Sequence, residues 1–176
     1  MTFFSDPHIS LAGTADIPGI VELLNKAYRG EPSRKGWTTE ADLIAGDVRT
    51  DANNLAEVIA LPGSFFLKYT AGTGELLGCV NLQVQNKRVY LGMFSVNPET
   101  QGAGIGKIIL SSAEEFARSF SCSSIYMSVI SVRSELISWY MRHGYADTGE
   151  RKAFKEDGLT GKHLRELEFM ILEKPL

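Results

Sequence analysis

The chain predicts an α+β (mixed α/β) domain: a central, mostly antiparallel, twisted sheet flanked by helices. Three observations predict it. Apolar residues recur at helical spacing in the first third, and after Pro62-Gly63 the pattern changes to that of strands. Three strand-like stretches, 64–70, 76–85 and 88–96, are separated only by turn residues, as antiparallel neighbours are. Beyond them helical and strand patterns alternate, giving the order β-α-α-β-β-β-α-β-α-β-β.

Residues 8–12 read as a short first strand. Thr14 has the character of an N-cap, with Ile17 standing where a capping box would carry an acid. Ile20, Leu23, Leu24, Ala27 and Tyr28 then fall on one helical face, so a helix runs to about Tyr28. Thr39 caps a second helix with Asp42 at its third position. A helical stretch over 51–61 ends at Pro62-Gly63. Residues 64–70 form a strand, 71–75 a hairpin turn, 76–85 the next strand, 86–87 a turn and 88–96 a third strand. A glycine-rich loop leads into a helix over 104–119, on which Ile105, Ile109, Ala113, Phe116, Ala117 and Phe120 are spaced helically. Residues 124–130 form a strand and 134–143 a helix with Leu136, Ile137, Tyr140 and Met141 on its apolar side. Two closing strands cover 145–149 and 167–173.

At 176 residues, 44% of them hydrophobic, the chain suits one domain with a full core. No repeat or low-complexity linker divides it, so residues 1–176 are read as a single domain with its core at about 9–174. The net charge of −3, spread without long runs of one sign, offers no basic face for nucleic acid. No stretch approaches the ~18 apolar residues of a membrane span. Met1 to Pro7 lack the basic and apolar regions of a signal peptide. Cys79 and Cys122 stand far apart without metal spacing, and His8, His143 and His163 show none either, so no metal site is expected. The expectation is a cytoplasmic protein, monomer or homodimer.

The segment Val96-Asn97-Pro98-Glu99-Thr100-Gln101-Gly102-Ala103-Gly104-Ile105-Gly106-Lys107 ends a strand, turns at Pro98 and enters a helix through glycines. Such a loop aims several backbone N–H groups at one point, where the helix N-terminus adds partial positive charge. It is not a Walker A loop, since Gln101 stands where Gly is required and Ile108 where Ser or Thr is. It is not a dinucleotide fingerprint either, since Lys107 replaces the third Gly. What matches is Gln-x-x-Gly-x-Gly, as Gln101, Gly104 and Gly106, after Val-x-Pro. Here the chain resembles the GNAT (GCN5-related) N-acetyltransferase superfamily, in which this loop holds the pyrophosphate of acyl-CoA.

The resemblance extends to the helix ending Tyr140-Met141-Arg142-His143-Gly144-Tyr145, similar to the family's Tyr-x-x-x-Gly-Phe or Tyr. It implies that Tyr140 protonates the departing CoA thiolate; the alternative is a core aromatic on an amphipathic helix. Many relatives carry Asn seven residues before this tyrosine, where this chain has Arg133, which either reaches a CoA phosphate or lies on the surface.

The implied activity is acetyl transfer from acetyl-CoA, as co-substrate, to a primary amine of a small molecule or amino acid by direct attack. Alternatives are a protein or peptide N-acetyltransferase and a non-catalytic acyl-CoA-binding sensor. By position, the N–H groups of Phe94 and Val96 hold the oxyanion and pantetheine. Those of Gln101, Gly102, Ala103, Gly104, Ile105, Gly106 and Lys107 hold the pyrophosphate, with the Lys107 side chain either adding charge or merely solvated. An amine with pKa near ~10.4 needs a base, yet residues 88–96 contain no carboxylate. In the family the first two helices and their linker wall the acceptor pocket. Glu31 is therefore the first candidate for base or amine anchor, Trp37 for a pocket wall, and Arg29 for binding an acceptor carboxylate.

Overall fold

A computed structural model describes residues 4–176; Met1, Thr2 and Phe3, part of the segment read above as lacking a signal peptide, lie outside the described residues. Seven strands form one sheet: β1 (Ile9–Leu11), β3 (Ser64–Thr70), β4 (Leu76–Gln85), β5 (Arg88–Val96), β6 (Ser124–Ile130), β7 (Ala146–Phe154) and β9 (Leu167–Pro175). Their spatial order is β1-β3-β4-β5-β6-β9-β7, antiparallel throughout except for β5 with β6. The helices are α1 (Ile17–Tyr28), α2 (Gly30–Ser33), α3 (Ala52–Ala60), α4 (Ile105–Ser119) and α5 (Ser134–Arg142).

Alternation along the strands divides the core in two. Leu67, Leu82 and Leu91 pack with Ile109, Phe116 and Ile137 of α4 and α5. The neighbouring Phe66 and Cys79 face the other way, against Ile20, Leu24 and Leu55 of α1 and α3. Residues of period two thus serve both faces, which commits the register, since a one-residue slip would reverse every side chain.

Two irregularities shape the centre of the sheet. Strands β5 and β6 pair only from Arg88↔Ser124 to Tyr90↔Tyr126 and then separate. In the part of β5 that separates, the register to β4 shifts between Cys79↔Ser95 and Asn81↔Gly92, leaving one extra residue on β5. Met93 there has φ +48°, a bulge that re-aims the strand.

Three sequence expectations are corrected. The box at the start of α1 lies one residue earlier than Thr14–Ile17: Asp16 Oδ2 accepts the Gly13 N–H at 2.8 Å, and a single 3-10 turn precedes the helix. Thr39 does not cap a helix. Its hydroxyl meets Ser33 Oγ, Glu40 is drawn to two arginines, and the chain makes one turn before a two-stranded sheet of β2 (Ile44–Ala45) with β8 (Lys162–His163). The strand expected at 145–149 runs on to Phe154, extended by pairing with β9. Among the described residues no helix is long and apolar enough to cross a membrane.

Candidate active site

Beyond the point where β5 leaves β6, a cavity of about 700 Å³ lies between the end of β5, the glycine loop and α5. The glycine loop forms one wall. Gly102 and Gly104 have φ +92° and +83°, conformations that cost a residue with a Cβ roughly 1–2 kcal/mol. With this path the N–H groups of Gln101, Gly102, Gly104, Ile105, Gly106 and Lys107 have no partner among the described residues. They face the start of α4, where the helix dipole favours an anion. A Cβ at Gly106 would meet Phe94, Val96 and Trp139 at 3.7–3.8 Å, so the glycine keeps open the space between them. Lys107 and Arg142 line the same cavity without an ion pair among the described residues. Ala103 departs from expectation: it does not line the cavity, and its N–H turns to the Thr100 carbonyl at 3.4 Å.

Strand β5 forms the floor. A strand residue sends its N–H and C=O to the same side. The Phe94 carbonyl accepts the Tyr28 hydroxyl and the Val96 carbonyl accepts Gln101 Nε2, both on the side left open by the splay. The N–H groups of Phe94 and Val96 therefore point into the gap as well.

Helix α5 supplies the opposite wall. Gly144 at φ +95° ends it in a Schellman motif, with Tyr145 N–H on the Tyr140 carbonyl (3.2 Å) and Gly144 N–H on that of Met141 (3.1 Å). The cap fixes Tyr140 at the base of the cavity, with ring centroids 6.3 Å from Phe94 and 5.8 Å from Tyr145. Tyr140 is 4% exposed, and its hydroxyl makes no hydrogen bond among the described residues. Burial, reinforced by the nearby Tyr28, holds its pKa well above that of an ordinary tyrosine, so it is neutral near pH 7. Burial and Glu40 raise Tyr28 likewise.

A second cavity of about 120 Å³ lies beyond this point, and Tyr28, Phe94, Leu136 and Tyr140 line both. Its charged lining is Glu40, Arg49 and Arg133. Glu40 Oε1 accepts from Arg29 Nη1 at 2.6 Å and its Oε2 from Arg133 Nη1 at 3.1 Å. Arg133 also donates to the Thr38 carbonyl. It is thus neither a surface residue nor directed at the glycine loop.

Gln101, Gly102, Gly104, Ile105, Gly106, Lys107, Phe94, Val96, Tyr140 and Trp37 meet around the large cavity. Glu31 and Arg29 do not line either cavity. Glu31 is exposed and bound to Arg34 at 3.1 Å, so it has no path to an amine in the gap. Arg29 is 1% exposed and held by Glu40 and by the Thr160 carbonyl at 3.0 Å, behind the lining of both cavities. Tyr28 and Glu40 belong to the segments 28–32 and 36–40 in which a base was sought, where Glu31 was singled out instead; Arg49 escaped the sequence reading.

Residues 18–145 match the Acetyltransferase (GNAT) family. The chain belongs to the GNAT acetyltransferase family. Over 78 residues, this GNAT chain is 31% identical to streptothricin acetyltransferase of Streptomyces lavendulae, a stretch covering 43% of this chain and 41% of that protein. The crystal structure of nourseothricin acetyltransferase is similar with a TM-score of 0.56 at 24% identity, covering 65% of this chain and 66% of that one. The ribosomal-protein-S18-alanine N-acetyltransferase of Escherichia coli shares the fold over 95% of this chain and 92% of its own, with a TM-score of 0.71 at 15% identity. The chain thus spans about 41% of the length of the first of these relatives.

Proposed function

We propose that the chain transfers an acetyl group from acetyl-CoA to the primary amine of a small molecule or amino acid. One observation carries this reading. Tyr140, whose hydroxyl has no hydrogen-bond partner among the described residues, stands where a cavity walled by six N–H groups equally unpaired among those residues meets a second, smaller cavity.

In this reading the loop N–H groups, with Lys107 and Arg142, receive the pyrophosphate, and Trp37 and Trp139, 6.1 Å apart, flank the pantetheine arm. The Phe94 and Val96 N–H groups bind the arm and the thioester oxygen, whose charge grows as the amine adds. The amine lone pair forms the C–N bond, the C–S bond breaks, and the sulfur keeps its electron pair. Tyr140 donates its proton to that sulfur, and the proton lost by the amine restores the phenol through water. Both Glu40 oxygens are already bound to arginines. Deprotonation of the amine is instead favoured by the guanidinium groups around the smaller cavity, which disfavour an ammonium ion.

CoA release from acetyl-CoA, read with a thiol reagent over a panel of amines, amino acids, polyamines and peptides, tests this. The expected result is acceptor-dependent release that falls sharply in Tyr140→Phe. Acetyl-CoA binding with no release for any acceptor would contradict it.

A further inference from the structure

The charge around the smaller cavity does more than disfavour an ammonium ion. Arg49 lines it, yet the Arg49 side chain makes no hydrogen bond or ion pair among the described residues. Its guanidinium carbon lies 6.0 Å from the centre of the Tyr28 ring, and Tyr28 in turn lines the junction with the large cavity beside Tyr140. The position is fixed from α1. Asn25 Oδ1 accepts the N–H groups of Arg49 (2.6 Å) and Thr50 (3.0 Å), and Asn25 Nδ2 donates to the Thr50 carbonyl at 3.1 Å. A pre-positioned guanidinium with an unused donor fork matches a carboxylate, which it can bind through two parallel hydrogen bonds.

The charge around it points the same way. Arg49 and Arg133 line the cavity, Arg29 stands behind Glu40, and the one carboxylate in the lining has both oxygens taken by Arg29 and Arg133. An acceptor entering here meets excess positive charge. A polyamine is repelled. A peptide N-terminus carries an amide where the free amino acid carries a carboxylate, so it leaves Arg49 without its anion. The cavity is also small beside the ~300 Å³ lower bound of ordinary ligand pockets.

We infer that the acceptor is a free amino acid, with its carboxylate held by Arg49 and its amine at the junction beside Tyr140. The inference rests on the acetyltransferase reading above and deepens it.

The test compares kcat/KM for apolar amino acids, chosen because Met127, Phe154 and Phe169 line the rest of the cavity, with their carboxamides and decarboxylated amines. It uses the wild-type chain, Arg49→Gln and Arg49→Lys. The expected result is a preference for the carboxylate on the order of 100-fold, from a charge-assisted hydrogen-bonded pair. Arg49→Gln abolishes that preference while KM for acetyl-CoA and the melting temperature stay the same; Arg49→Lys keeps part of it. Carboxamides or plain amines accepted as well as amino acids by the wild type would overturn the inference and leave the acetyltransferase reading standing. So would equal losses on all three acceptor types in Arg49→Gln. No CoA release with any acceptor would overturn both.

Discussion

Gln101 holds the backbone of Trp37: its Oε1 accepts the Trp37 N–H at 2.8 Å, while its Nε2 donates to Thr38 Oγ1 at 2.8 Å and to the Val96 carbonyl at 3.2 Å. The side chain of the loop's first residue therefore ties the linker after α2 to the glycine loop and to the end of β5. Gly36 permits the approach, since a Cβ there would lie 2.3 Å from Gln101 Oε1. Removing the tie releases the Trp37 wall of the cavity. Gln101→Ala should raise KM for acetyl-CoA about tenfold, equivalent to ~1.4 kcal/mol, a part of the ~1 kcal/mol that each of its three hydrogen bonds contributes. Gln101→Glu should raise it further, because it loses the donor and sets a negative charge beside the loop proposed to hold the pyrophosphate. Initial rates at varied acetyl-CoA check both.

Tyr140→Phe removes a hydroxyl with no hydrogen-bond partner among the described residues. Its effect should appear in the chemical step alone: kcat lower by about 100-fold, the low end for a lost general acid, with KM for acetyl-CoA and the melting temperature nearly unchanged. Steady-state kinetics and a thermal melt separate this from a packing role, which would move the melting temperature.

Much of this arrangement was legible in the sequence. The strands at 64–70, 76–85, 88–96 and 124–130 end where alternation and turn residues said they would, because both signals are local. The glycine loop was legible for a similar reason. Positive φ at Gly102 and Gly104 is a demand that a few adjacent residues must meet. The acceptor side was not. Glu31 and Glu40 are both acids in one polar linker, and nothing near either tells them apart. What separates them is Arg29, Arg133 and Thr160, brought together only by the fold. The same partners hold the Thr39 segment out of the helix its local pattern suggests.

Glu40 balances two arginines of which one, Arg29, is almost wholly buried. Glu40→Ala leaves that guanidinium without a counter-charge, and breaking a buried pair in this way costs about 3–5 kcal/mol. Urea denaturation should show the unfolding free energy lowered by that amount, read as a lower midpoint at constant m-value.

Burial pushes the Cys79 thiol up to about 12, with the Ser95 hydroxyl pulling slightly the other way, and raises Cys122 as well. Native protein should therefore stay silent toward a thiol reagent at about pH 8, where an ordinary exposed thiol reacts, and denatured protein should show both cysteines. The sign for stability follows. Between its ordinary value of 9.0 and about 12 the folded chain retains a Cys79 proton that the unfolded chain releases. Stability from this group is full below about pH 9 and falls as pH rises toward 12. Denaturation midpoints at about pH 8 and about pH 10.5 check the direction, which the raised Tyr28 and Tyr140 reinforce at the upper end.

The most direct measurement is a calorimetric titration of the chain with acetyl-CoA, alongside Gly106→Leu, whose side chain would fill the space between Phe94 and Trp139. The account predicts one site per chain in the wild type and its loss in a variant that still melts cooperatively. No binding by the wild type, or equal binding by the variant, would contradict it.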